Sequence, residues 1–130
     1  MTRTVALGGV DEYQMRVYNT VLQAQLNALD AVKDGATCNF VDNAARSYIY
    51  QAGFEDCFGH STGHGVGLEI HEAPSVSPKN SFVLHSGMVI TIEPGIYIPD
   101  RFGVRIEDMV VVTNDGCINL AQIPKELIVL

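Results

Sequence analysis

The sequence predicts an α+β chain in which two helices precede a mostly antiparallel sheet. Two observations carry that expectation. Apolar residues recur at helical spacing only before residue 54. Beyond it, glycine and histidine concentrate in 59–71, and β-branched residues dominate 88–93 and 104–113.

Residues 1–9 read as a short strand ending at the Gly8-Gly9 turn. Asp11 has the character of a helix N-cap, with Gln14 completing a capping box. Met15, Tyr18, Leu22, Leu26 and Leu29 then follow at helical spacing, so 12–33 is predicted to be an amphipathic helix with Gly35 as its C-cap. A second helix is expected from about Phe40 to Ala52, with Phe40, Val41, Ala44, Ala45, Tyr48 and Ile49 as its apolar stripe and Gly53 ending it. Both stripes read as packing surfaces. Residues 88–93 and 104–113 are expected as strands joined by a loop over 94–103, long enough to pair them antiparallel, and Lys125 to Leu130 reads as a last short strand.

The 130 residues suit one domain, and 47% hydrophobic residues make a packed core feasible. Eight basic residues against fifteen acidic ones give a net charge of −7, which would repel a phosphate backbone, so no nucleic-acid partner is expected. No apolar run approaches a membrane span, and the opening Met1-Thr2-Arg3-Thr4 leads into a segment too short for a secretory core. The three cysteines, Cys38, Cys57 and Cys117, form no CxxC pair and fit reduced thiols in a cytoplasmic protein.

Three stretches carry chemistry. Residues 60–72 place His60, His64 and His71 among glycines, and neutral imidazole is a ligand for Zn, Mn, Fe or Co. A glycine-rich loop with surface histidines is the plainer reading. His71-Glu72 does not open a HExxH motif, because position 75 is Ser75. In Met88 to Glu93, strand parity puts Val89, Thr91 and Glu93 on one face. Glu93 ends an apolar strand just before Pro94-Gly95, where an unpaired buried carboxylate would need a cation, a proton or several donors, and a strand end would instead give it water. In Val104 to Val112, Arg105, Glu107 and Met109 share a face, opposite Ile106, Asp108 and Val110. Arg105 and Glu107 could form an ion pair across the pleat. Alternatively, Glu107 binds metal with Arg105 as an organising donor. Antiparallel pairing of the two strands would set Glu93 beside Glu107. One histidine and two carboxylates then converge, a donor set suited to Mn, Zn, Co or Fe and to metal-assisted hydrolysis.

The order GHGVGLEIHE, ITIEPGIY, RIEDMVVVT resembles the pita-bread metallopeptidases, which include Xaa-Pro dipeptidases (prolidases), aminopeptidase P, methionine aminopeptidases and the metal-free creatinases. RIED and EPGIY resemble the proline-specific branch rather than the methionine aminopeptidases. The resemblance implies a partial pita-bread fold with a curved sheet, and two divalent ions, manganese ahead of zinc, cobalt or iron. It implies His64 as terminal metal ligand, Glu93 as ligand and proton shuttle, and Glu107 as bridging ligand. His60 and His71 would lie beside the substrate, with Arg105 and Tyr97 completing the surroundings. The implied substrates are Xaa-Pro peptides.

The family's other two ligands are aspartates on a hairpin upstream of the first helix, the second directly before a segment like Thr2-Arg3-Thr4. Residues 1–130 are therefore expected to form the C-terminal portion of the catalytic domain without that hairpin. Such a chain should bind metal poorly, hydrolyse little, and expose surface that favours a homodimer. A methionine aminopeptidase, or a non-catalytic binding module of the same fold, are the rival readings.

Overall fold

The computed structural model describes residues 1–130 and builds the expected α+β layout. A short strand β1 (Val5–Ala6) leads to helix α1 (Glu12–Ala31). Asp11 caps α1 as anticipated: its carboxylate accepts from the Gln14 amide at 2.7 Å, and the Gln14 side chain accepts from the Asp11 amide at 2.9 Å. The helix stops earlier than the glycine suggested. Val32 is fully buried, and its extended backbone turns the chain at the C-cap position, leaving Gly35 (φ +81°) in the turn beyond.

Helix α2 (Cys38–Gln51) starts two residues before Phe40. Gly53 (φ +88°) follows its C-cap, Ala52, in a left-handed turn that an L side chain would strain. The buried faces also differ from the apolar count. Met15, Leu26, Phe40 and Tyr48 lie toward solvent, while Val17, Val21, Ala24 and Ala28 on α1, and Val41, Ala45 and Ile49 on α2, are fully buried. The alanines let the two helices pack closely, and that contact outweighs the reach of the larger side chains.

After a 3-10 turn at Glu55–Cys57, the chain forms β2 (Gly63–Gly65), β3 (Glu72–Val76), β4 (Val89–Ile92), β5 (Gly95–Ile98), β6 (Phe102–Arg105), β7 (Asp108–Val112), β8 (Cys117–Asn119) and β9 (Ile128–Val129). The main sheet is antiparallel throughout, in the order β3-β2-β4-β7-β8. β1 and β9 pair separately and in parallel.

The expected loop over 94–103 is instead most of a second ribbon, β5 with β6. Likewise the continuous strand expected over 104–113 is two strands. It breaks at Ile106-Glu107, where Glu107 forms an antiparallel bridge to Thr2 through backbone bonds of 3.2 and 3.0 Å. Ile106 is fully buried at this crossover, so hydrophobic alternation runs unbroken through a change of partner. The apolar core fills the space between the helices and the sheet and ribbon, through Leu84, Ile90, Ile92, Ile96, Val110 and Val112. No helix is long and apolar enough to cross a membrane.

Candidate active site

The glycines around His64 are required by backbone crowding. β2 is clamped between β3 and β4. A Cβ at Gly63 would lie 1.8 Å from the Thr91 carbonyl oxygen, and one at Gly65 would lie 2.2 Å from that of Ala73. The clamp holds the His64 main chain against Thr91, whose hydroxyl accepts from the His64 amide at 3.0 Å and donates to Glu93 Oε1 at 3.0 Å. His64 Nε2 stands 3.1 Å from the same carboxylate oxygen.

His64 Nδ1 lies 2.9 Å from the Gly65 carbonyl, an acceptor, so Nδ1 carries the ring proton. A neutral His64 therefore turns a lone pair toward Glu93. Two acceptors this close require a proton or a cation between them.

The β4–β7 register ends at Ile92 with Asp108, one residue short of Glu93 and Glu107, which both line the same cleft. The two carboxylates nevertheless have different partners. Glu107 Oε1 lies 3.4 Å from the Met1 ammonium, and its Oε2 accepts from the Thr2 hydroxyl. Arg105 turns its guanidinium to Glu93, with Nε 3.9 Å from Oε2, so the ion pair across the pleat to Glu107 is not formed. The cause is the break at 106–107: Arg105 ends the ribbon while Glu107 is bridged to Thr2.

Arg105 Nε is buried without a hydrogen-bond partner, and Nη1 donates to the Tyr97 hydroxyl at 3.4 Å. That hydrogen bond is the chief reason the guanidinium is held above its ordinary value; burial opposes it, and the Glu93 and Glu107 charges reinforce it.

Tyr97 connects the ribbon to the histidine loop. Its hydroxyl is 2.7 Å from His60 Nε2, and His60 Nδ1 is 2.8 Å from the Ser61 carbonyl. With Nδ1 donating to that carbonyl, Nε2 accepts from Tyr97, completing a directional chain from Arg105 through Tyr97 to His60. His71 is exposed but lies against His64, ring centroids 4.4 Å apart with the rings tilted by 59°.

These groups line two adjoining clefts that share His64, His71, Glu93 and Arg105 as walls. One, of about 360 Å³, is wholly polar and includes His60 and Ser75. The other, of about 380 Å³, adds Glu107 with an apolar flank of Val66, Ile70 and Met109. Of the site residues expected from the sequence, His60, His64, His71, Glu93, Arg105 and Glu107 line one or both clefts, while Tyr97 lines neither and reaches them through His60 and Arg105. No three His, Cys, Asp or Glu side chains close to metal-holding distances, and Glu107 accepts from the Thr2 hydroxyl.

Two supporting clusters escaped the sequence reading. Asp108, fully buried, accepts from Arg3 at 2.7 Å, Lys125 at 2.6 Å, Asn119 at 2.8 Å and Gln25 at 2.9 Å. Burial alone would raise its pKa, but the bonds from Lys125, Arg3, Asn119 and Gln25 together hold it below the ordinary 3.8. Asp42, also fully buried, accepts from Arg46 and from the amide and hydroxyl of Thr62. Thr91 could have been found: strand parity already put it on the face of Glu93.

The profile of metallopeptidase family M24 matches residues 1–114. The chain belongs to metallopeptidase family M24. Among the family's characterised members, it is 50% identical over 128 residues to the Xaa-Pro dipeptidase of Pyrococcus furiosus, covering 98% of this chain and 37% of that protein. It superposes on an Xaa-Pro dipeptidase from Bacillus anthracis with a TM-score of 0.96 at 48% identity, covering 98% of this chain and 36% of the other. An X-Pro aminopeptidase from Thermotoga maritima matches with a TM-score of 0.95 at 41% identity, again over 98% and 36%. The M24 chain therefore spans little more than a third of the length of the curated relatives it matches. Divalent metal is implied by the family, and the donor types in the cleft suit it: the imidazole of His64 faces the carboxylate of Glu93 at 3.1 Å, with Glu107 lining the same cleft.

Proposed function

We propose that this chain forms part of the catalytic domain of a proline-specific metallo-exopeptidase that hydrolyses the peptide bond before proline. The observation that carries the reading is the opposed His64 Nε2 and Glu93 Oε1, bounded by Arg105, Tyr97 and His60, in a chain about half identical to an Xaa-Pro dipeptidase.

In this reading His64, Glu93 and Glu107 would hold metal as part of a dinuclear set. Manganese is favoured over zinc, cobalt or iron. When bound, the metal supplies an acidified water and polarises the scissile carbonyl. Glu93, the carboxylate nearest His64, takes the proton of the attacking water and returns it to the leaving nitrogen. Arg105, its Nε 3.9 Å from the second oxygen of Glu93, supplies a positive charge beside that carboxylate. His60 and His71 face the substrate, orienting it and stabilising the developing oxyanion. Tyr97 holds the His60 Nδ1–H tautomer and in this reading binds substrate beside it.

We further propose a cytoplasmic protein that self-associates as a homodimer, in keeping with its three free thiols. The contact of Arg105 with both Glu93 and Tyr97 weighs against the methionine aminopeptidase alternative.

The test is hydrolysis of Xaa-Pro dipeptides with added manganese, comparing this chain with a polypeptide extended through the aspartate hairpin. Activity in the extended form that is lost in Glu107→Ala supports the reading. An extended form that binds manganese, measured calorimetrically, yet cleaves no Xaa-Pro bond overturns the substrate assignment in favour of a binding module. Sedimentation velocity across a concentration series checks the dimer, and a strict monomer throughout counts against it.

A further inference from the structure

We propose that Arg46 of helix α2, largely buried against the turn at 58–62, is the positioning residue for His60; this rests on the reading that His60 faces substrate. His60 sits in an irregular stretch between the 3-10 turn and β2, with no strand pairing to fix it. Arg46 replaces that pairing. Its Nη1 donates to the Phe58 carbonyl at 3.1 Å and its Nη2 to the His60 carbonyl at 2.8 Å, so one guanidinium spans both ends of the turn.

The fork is itself immobilised. Nε and Nη2 donate to the two oxygens of Asp42 at 2.7 and 2.9 Å, and Asp42 is fully buried. Asp42 also takes the Thr62 amide at 3.2 Å and the Thr62 hydroxyl at 2.8 Å, which pins the far side of the same turn. The guanidinium carbon lies 4.1 Å from the centre of the Phe58 ring, and that ring meets the His60 imidazole edge-on at 5.0 Å. On its other side His60 meets Tyr97. The imidazole is thus wedged between a ring backed by Arg46 and a hydroxyl held by Arg105.

The arrangement needs the planar fork of arginine. A lysine ammonium could keep the charge pair with Asp42, but a single nitrogen cannot also reach two carbonyls placed for a fork. Arg46 lies on no wall of the clefts that hold His64 and Glu93, so its influence on the chemistry passes through His60.

The test reads His60 directly. Long-range proton–nitrogen NMR of the imidazoles in this chain should give His60 the Nδ1–H tautomer. In Arg46→Lys, chosen because it preserves the Asp42 ion pair and the fold, His60 should lose that single-tautomer signature and average, while His64 and His71 keep theirs. In the extended, manganese-loaded protein, the same substitution should lower kcat/KM for an Xaa-Pro dipeptide by about 10–100-fold, without changing manganese affinity. Phe58→Leu, which removes the stacked ring but keeps the fork, should move the His60 signals in the same sense and by less. An unchanged His60 signature in folded Arg46→Lys overturns the proposal, whatever the activity. An altered signature in a protein that cleaves no Xaa-Pro bond leaves the positioning role standing and removes the peptidase reading instead.

Discussion

Gly63 shows how one absent side chain builds the site. The 1.8 Å approach of its missing Cβ to the Thr91 carbonyl leaves only backbone displacement as relief. Gly63→Ala is therefore expected to destabilise the chain by about 3 kcal/mol or more, at the severe end for a single methyl, as urea unfolding would measure. Arg105 acts differently, through two contacts. Arg105→Ala should leave stability nearly unchanged while weakening manganese affinity or Xaa-Pro turnover in the extended protein by about 10–100-fold. Calorimetric titration and steady-state kinetics check the two. Equal losses in Arg105→Ala and Tyr97→Phe would locate the effect in the hydroxyl that joins Arg105 to His60. The histidines of the cleft were legible because three of the chain's four lie close together, and the carboxylates because each interrupts an apolar strand pattern. Asp42 and Arg46 were not, since an acidic and a basic residue four apart on a helix look like an ordinary surface pair. Only the turn at 58–62 folding over them reveals the second set of partners.

Strands and helices were legible where a local rule chose them. The capping box at Asp11 set the start of α1, and the parity of β4 correctly put Thr91 and Glu93 on one face. Ends and breaks were decided by distant partners. Val32 leaves the helix because the core takes its side chain, and β6 separates from β7 because Thr2 bridges Glu107. The element that depends most on such partners is β7, whose first residue is Asp108. Three segments far apart in sequence supply its four donors. Asp108→Asn should cost about 3–5 kcal/mol at neutral pH, because Arg3 and Lys125 are left facing a neutral amide. The pH dependence follows from the lowered carboxyl. Its stabilisation is fully present above the ordinary value of 3.8, and it is lost as pH falls from there through the lower folded value. Denaturation curves should show a drop in that acid window for the parent chain, and a flatter profile in Asp108→Asn.

At the scale of the whole molecule, the α+β class and the antiparallel sheet were legible from periodicity. The separate ribbon and the parallel β1–β9 pair were not, because no local pattern tells a strand which neighbour it will choose. That last pair has a consequence for order of assembly. Val5 meets Ile128, and Ala6 meets Val129, across nearly the entire chain, with Gly8 and Leu130 extending the contact through their own backbone bonds. Both strands are short and half open to solvent, so the pairing gains little burial against a large closure entropy. It should be the last part of the protein to form and the first to open. Hydrogen exchange would register this as rapid loss of protection at the Gly8 and Leu130 amides while Ile90 and Val110 remain protected. The β1–β9 pair would then act as a clasp that closes over a finished interior.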